Sequence, residues 1–259
     1  MTNKHIGFIG GGRITRVMLH GFKNAQRLPT KIVVSDINNE VLEKLKREFP
    51  QIEIHTENKM AMSQNIVFIA LHPPVIENVL KENRQYLKRE TILISFAPKF
   101  TIARLNELLG GFNRIVRMIP NAPSIINQGY NPVIFSPAIN DSEKRELMEI
   151  FKIFGETPEV SEEKLEAYAI LTGMGPTYFW FQFATLMELG RSFGLTDEEL
   201  RNGVSKMLKG AVELFFDTEL NYEEVLDLIP VHPLKEKEPE TKKIFQDTLV
   251  PLYKKLLPR

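Results

Sequence analysis

The stretch Lys4 to Phe22, KHIGFIGGGRITRVMLHGF, constrains the fold more than any other. His5, Ile6, Phe8 and Ile9 have strand character and run into Gly10-Gly11-Gly12. A helical period then begins at once, with Ile14, Val17, Met18, Gly21 and Phe22 on one face. Strand, glycine turn and helix in this order suit a dinucleotide. Its pyrophosphate is bulky and doubly charged, and is best held by backbone N–H groups at a helix N-terminus, where the helix dipole also favours anions. Gly10 is expected to make the tight turn and Gly12 to face the pyrophosphate, with Gly11 between them. The third fingerprint position holds Thr15 rather than glycine or alanine, so the motif alone leaves an ordinary turn as an equal reading.

The next segment supports the cofactor. KIVVSD, Lys31 to Asp36, reads as a second buried strand ending in an acid where a ribose-binding carboxylate is expected. Asp36 is suited to accept hydrogen bonds from both ribose hydroxyls and to repel a 2′-phosphate. Ile37-Asn38-Asn39 supply no arginine to offset that repulsion, so NAD is favoured over NADP. The competing reading makes Asp36 the N-cap of a helix starting at Glu40-Val41-Leu42.

Composition narrows the partners. The 259 residues carry 33 basic and 33 acidic side chains, and a zero net charge argues against nucleic acid or an anionic membrane. There is no cysteine, which excludes disulfides, thiolate metal sites and thiol catalysis, and five scattered histidines make no metal-ligand pattern. The first strand starts too early for a signal peptide, so a cytoplasmic protein is expected. The most apolar long run, Pro176 to Leu195, is interrupted by Gln182, Glu188 and Arg191 and reads as a buried or dimer-forming helix rather than a membrane span.

Strands and helices then alternate. Helix Glu40–Phe49 leads to a short strand near Ile52–Ile54, and Ile66–Leu71 is a continuous apolar run of the kind buried on both faces of a parallel sheet. A helix through Val75, Ile76, Val79 and Leu80, a strand Thr91–Phe96, a helix Ile102–Leu109 and a sixth strand Arg114–Met118 follow. This pattern implies right-handed crossovers and a doubly wound sheet, whose ligands sit at the carboxyl ends of the strands. The candidate site loops are therefore His72-Pro73-Pro74, Ala97-Pro98-Lys99 and Pro120-Asn121-Ala122-Pro123. A strand Pro132–Phe135, a helix Ser142–Phe154 and a short strand near Glu159-Val160 close the sheet domain.

From Glu162 the pattern is helical throughout, which predicts a Rossmann-like domain over 1–160 and an all-α dimerisation and substrate domain over 161–259. Thr172-Gly173-Met174-Gly175-Pro176 should interrupt a long helix, since a straight run would cost about 1 kcal/mol per glycine and about 3 for the proline. Pro176 as the first residue of the next helix would present the N–H groups of Thr177 and Tyr178 to an anion such as a substrate carboxylate; a packing kink is the alternative. The aromatics Tyr178, Phe179, Trp180, Phe181 and Phe183 are too many for one helix face and predict a homodimer.

Several segments together resemble pyrroline-5-carboxylate reductase, which reduces the cyclic imine of glutamate semialdehyde to proline. They are IGFIGGG (Ile6 to Gly12), Asn58 in TEN, FIALHP (Phe68 to Pro73), RMIPNAP (Arg117 to Pro123) with Gly129, TGMGPTY (Thr172 to Tyr178), GLTDEE (Gly194 to Glu199) and HPLK (His232 to Lys235). The resemblance implies a nicotinamide cofactor on the N-terminal domain and a helical C-terminal domain that dimerises and completes the partner's site. By position, Gly10, Gly12, Arg13 and Ile14 would hold the pyrophosphate, and Asn58 would contact the adenosine portion. Ala70, Leu71, His72 and Pro73 would lie along the nicotinamide ribose, and Pro120 with Asn121 would border the ring. Thr172, Gly173, Met174, Gly175 and Thr177 would face the substrate.

There are departures. His72 stands where the family usually has lysine, Arg13 where it has asparagine, and Thr172 and Met174 where it has two serines. The serine-proline-glycine-glycine-threonine-threonine loop that should follow HPLK, and that binds the substrate carboxylate in the family, is absent. The nearest substitute for that anion site is the stretch after Pro176 with Thr172 and Thr177. The reading is therefore an NAD(P)H-dependent reductase of a C=N bond in a small carboxylated substrate, with His72 as the best candidate for a general acid. Two alternatives stand beside it: a two-domain β-hydroxyacid type dehydrogenase, disfavoured because Lys164 is followed at the fourth residue by Tyr168 rather than asparagine, and a cofactor-binding regulatory protein without catalysis.

Overall fold

The structure is a computed structural model that describes residues 4–257. Its first part alternates β1 (Ile6–Ile9), α1 (Arg13–Asn24), β2 (Ile32–Ser35), α2 (Asn39–Glu48), β3 (Glu53–His55), α3 (Lys59–Met62), β4 (Ile66–Ile69), α4 (Pro73–Asn83), β5 (Ile92–Ser95), α5 (Ile102–Leu108) and β6 (Ile115–Met118). After β7 (Gly129–Tyr130) come β8 (Val133–Phe135), α6 (Asp141–Phe151) and β9 (Gly155–Glu156). The main sheet has seven strands in the order β3-β2-β1-β4-β5-β6-β8, all parallel except β8, which runs antiparallel to β6. The strand order reverses direction between β1 and β4, the switch point of a doubly wound sheet.

Apolar residues alternate across the strands and so feed two cores. Ile6, Phe8, Ile32, Val34, Ile66, Phe68, Ile92 and Ile94 meet Met18, Leu19 and Phe22 of α1, Leu42 and Leu45 of α2, and Ile150 and Phe151 of α6. Ile9, Val33, Val67, Ile69, Leu93 and Ile115 face the other way, onto Ala61, Met62, Ile76, Leu80, Leu105 and Leu108. In the first core Phe8 stacks on Phe68 with ring centroids 4.8 Å apart, and Phe68 on Phe96 at 5.2 Å.

One local expectation is corrected. The strand near Glu159-Val160 is only a single bridge between Val133 and Glu159. A two-strand ladder of β7 with β9 stands beside the main sheet instead, too short to leave a periodic signal.

After β9 the chain enters α7 (Leu165–Tyr168) and a π-helical turn, Ala169–Gly173, which is the interruption that the glycines and Pro176 predict. Then follow α8 (Pro176–Ser192), α9 (Asp197–Phe216), α10 (Tyr222–Asp227) and α11 (Glu238–Leu256). Thr196 caps α9 reciprocally with Glu199, and Gly194 takes φ +93° at the stop of α8.

By contacts the chain forms two compact units, one running to Met174 and including the chain from Tyr253, the other Gly175–Leu252. The expected boundary at 160/161 thus falls inside the first unit. The physical reason is Arg117 on β6, which is paired with both Glu162 and Glu166 and holds that stretch to the sheet. In the second unit, only Gly175, Gly190 and Leu200 are buried among the described residues. Among the described residues no helix is long and apolar enough to cross a membrane.

Candidate functional site

A cleft of about 650 Å³ opens at the carboxyl ends of the strands, with Gly10 and Asp36 on one side of the switch point and Ala70 on the other. Gly10 has φ +100°, and its N–H donates to the Ser35 carbonyl at 2.7 Å. A Cβ there would lie 2.6 Å from the Ala70 carbonyl oxygen, so the turn requires glycine on both counts. Gly12 is different. It has an ordinary φ of −72°, and nothing lies within 4 Å of where its Cβ would be. The space a side chain would fill opens beside the first turn of α1, whose backbone N–H groups lack helical partners. Arg13 and Ile14 also line the cleft.

Thr15, the departure from the fingerprint, is fully buried, and its hydroxyl donates to the Gly10 carbonyl at 2.5 Å. A side chain therefore takes the place of the missing glycine by bonding back to the turn.

Asp36 is not the cap of α2. Asn38 is, its side chain accepting from the N–H groups of Glu40 and Val41. Asp36 accepts instead from Gly11 N–H at 2.8 Å and Asn38 N–H at 2.9 Å, one bond per carboxylate oxygen. Each oxygen keeps further acceptor capacity, and Asp36 lines the cleft, which suits a ribose diol.

The opposite wall comes from four segments. Leu71, His72 and Val75 follow β4, Phe96 and Pro98 follow β5, Ile119 and Pro120 follow β6, and Ala169, Gly173 and Met174 belong to or adjoin the π turn. His72 is exposed and extended immediately before α4, and the next residue, Pro73, begins that helix.

Other expected site residues lie behind these walls. Gly11 is buried under Asp36. Asn58 accepts from the Ser35 hydroxyl at 2.8 Å, tying the start of α3 to β2. Asn121 is nearly buried: its side-chain oxygen accepts from Tyr130 N–H at 3.1 Å and its amide donates to the Thr172 carbonyl at 3.4 Å, so it braces the loop after β6 against the π turn. Behind that loop, burial and then the neighbouring Tyr168 push the Tyr130 hydroxyl above its ordinary pKa.

The anion site expected after Pro176 is not formed as envisaged. Tyr178 N–H donates to the Gly175 carbonyl at 2.9 Å, and the Thr172 hydroxyl to the Tyr168 carbonyl at 2.9 Å. Both groups are thus bonded locally, one on each side of the bend and turn at Met174-Gly175. Gly175 and Thr177 belong to the second compact unit.

Sequence reading missed Ile37, Val75, Phe96, Ile119 and Ala169 as cleft residues. Ala169 and Gly173 are four apart on one helical face, and Phe96 and Ile119 sit just past buried strands, so strand ends and helical spacing would have found them. A larger trough of about 790 Å³ lies within the second unit, lined by Tyr222, Asp227, Ile229, His232, Leu234 and Lys235 among others. It carries no glycine turn and no strand end, unlike the smaller cleft.

The family model described as "NADP oxidoreductase coenzyme F420-dependent" matches residues 5–99. Pyrroline-5-carboxylate reductase of Escherichia coli strain K12 is 24% identical over 216 residues, 83% of this chain and 80% of that protein. Among solved structures, pyrroline carboxylate reductase of Plasmodium falciparum, with NADP bound, superposes with a TM-score of 0.81 at 23% identity, covering 99% of this chain and 96% of that one. Pyrroline-5-carboxylate reductase of Coxiella burnetii gives a TM-score of 0.70 at 26% identity over 98% and 95% of the two chains. The glycine turn, Asp36 and the loops after β4, β5 and β6 meet around one cleft, and over most of its length the chain is similar in sequence and fold to pyrroline-5-carboxylate reductases.

Proposed function

We propose that the protein is an NAD(P)H-dependent reductase that delivers hydride to the C=N carbon of a small carboxylated imine, pyrroline-5-carboxylate first among them, in proline biosynthesis. The observation that carries this reading is the cleft at the switch point, with an open cradle at Gly12 and a carboxylate at Asp36. A bound nicotinamide supplies the hydride; the protein orients the reactants and excludes water. The backbone of Gly10, Gly12, Arg13 and Ile14 would hold the pyrophosphate and Asp36 the adenosine ribose. Ala70 to His72 would flank the nicotinamide ribose, and Pro120, Gly173 and Met174 the ring and substrate. Asn58 and Asn121 act from behind, as braces. A cyclic imine can arrive already protonated from solvent, so His72 is a candidate donor rather than a required one.

The working form is a homodimer, because the second unit buries almost nothing within its own chain. A cytoplasmic location suits a reaction that draws on the nicotinamide pool. NADH is the preferred reductant, since Asp36 would repel a 2′-phosphate. Dissociation constants for NADH and NADPH, with steady-state reduction of pyrroline-5-carboxylate and related imines, test the reading. The expected result is tighter NADH binding in the native protein, with a shift toward NADPH in Asp36→Ser of tenfold or more, about 1.4 kcal/mol. A tenfold native preference for NADPH would refute the role of Asp36, and absence of turnover with every imine would refute the reductase.

A further inference from the structure

Arg117 and Glu166 are fully buried or nearly so, yet neither lines the cleft. The Arg117 guanidinium donates to Glu166 Oε1 at 2.5 Å and to Glu162 Oε1 at 2.8 Å, and its Nε has no hydrogen-bond partner. The same Glu166 oxygen accepts from the Lys99 N–H at 3.1 Å, and the same Glu162 oxygen from Ile102 N–H at 2.7 Å. Lys99 is held at φ +74°, a left-handed conformation that a lysine rarely adopts and that persists where surrounding structure enforces it.

Each member of this cluster adjoins a wall of the cleft. Lys99 follows Pro98, Arg117 precedes Ile119 and Pro120 by two and three residues, and Glu166 lies three residues before Ala169, one helical turn from the π segment. The walls also fit closely to one another: a Cβ at Gly173 would lie 3.1 Å from the Ile119 side chain. An ion pair this deeply buried is a poor source of stability in itself, since desolvation offsets its attraction. Its geometry is specific, however, because the planar fork of arginine fixes two carboxylates at once.

We infer that Arg117 and Glu166 are positioning residues that set the width of the cleft between Pro98, Pro120 and the π turn. In the strand order Asp36 and Gly10 follow β2 and β1, whereas Pro98 and Pro120 follow β5 and β6 on the far side of β4, so this end takes the nicotinamide and substrate rather than the adenosine half. The inference rests on the cofactor reading above, and it separates the two halves of the ligand.

The test measures dissociation constants for NADH and for ADP, thermal midpoints, and amide exchange at Lys99. They are compared in the native protein, Glu166→Gln and Glu166→Asp; the last keeps the charge but shortens its reach and guards against a variant that fails to fold. The expected result is NADH affinity weakened at least tenfold with ADP affinity within twofold of native, and exchange at Lys99 at least tenfold faster. If both variants bind NADH as the native protein does and only the thermal midpoint falls, the pair is structural and the inference is overturned. Parallel loss of NADH and ADP affinity overturns it as well. Failure of the cofactor reading would show separately, as a native protein that binds neither NADH nor NADPH, whereas the exchange at Lys99 reports the bridge without any ligand.

Discussion

The sheet unit and the helical unit are both rich in phenylalanine, but they hide it to opposite degrees. Phe8, Phe68 and Phe154 are fully buried, whereas Phe181, Phe193 and Phe216 are 64, 76 and 73% exposed. In the first unit, strand alternation sorts apolar side chains to two faces, each covered by helices from the same chain. In the second, α8 carries aromatics around much of its circumference, and its own unit buries only Gly190 of it. A helix apolar all round belongs in an interior. The lesson is that apolar content fixes how much surface must be covered, while connectivity decides whether the same chain can cover it.

The largest test of this contrast removes the cover. Trp180→Asp with Phe181→Asp should abolish dimer formation and with it the cooperative folding of the second unit, leaving the sheet unit folded. Light scattering should move from twice the 29.8 kDa chain mass to one, with loss of helical circular dichroism. A native chain that is monomeric at micromolar concentration, with slow amide exchange in α8, would break the comparison.

Within the sheet unit, Phe8→Ala should cost about 3–5 kcal/mol, because the ring is fully buried against Phe68. In the monomeric background, Phe216→Ala should change stability by no more than about 0.5 kcal/mol. Urea unfolding of both variants reads the difference, and equal losses would show that the helical unit owns a core.

The smallest effect is electrostatic. Glu48 of α2 accepts from Arg16 and His20 of α1, and the Arg16 hydrogen bond, the leading cause, lowers its pKa to about 2. A carboxylate depressed in the folded state stabilises fully above its ordinary value near 4.5, and that contribution is lost as pH falls from there toward 2. Arg16 is half exposed, so the loss should stay below about 1 kcal/mol. Urea midpoints at pH 5 and pH 3 should differ less in Glu48→Gln than in the native protein, and an unchanged difference would remove the pair from the acid response.

Much of the sheet unit was legible because its signals are local. Glycine turn, continuous apolar runs and helix periods are each read within one segment, and the parallel order follows from their alternation. What escaped depends on pairing across the chain. Arg117 reads as one charge at the end of a strand, and its partners Glu162 and Glu166 are 45 and 49 residues away. Those pairs also tie the stretch around Glu162 and Glu166 to the sheet unit. The two-residue ladder of β7 and β9 is shorter than any periodicity can register. Asp36 and Asn38 both suit a helix cap, and only their hydrogen bonds in the folded chain distinguish them. Pro176 opens α8 as its fixed φ predicts, but the local bond from Tyr178 N–H to the Gly175 carbonyl is a contact that residue type alone does not reveal.

The Thr15 hydroxyl, closed onto the Gly10 carbonyl, bears on the thermodynamics of binding. A phosphate loop held only by glycines must lose conformational freedom when its ligand arrives, and that loss is subtracted from affinity. Here the loop is latched from within as the chain folds, so the ordering is complete before association. A ligand entering this turn should therefore bind with a smaller entropic penalty than the glycine count alone implies.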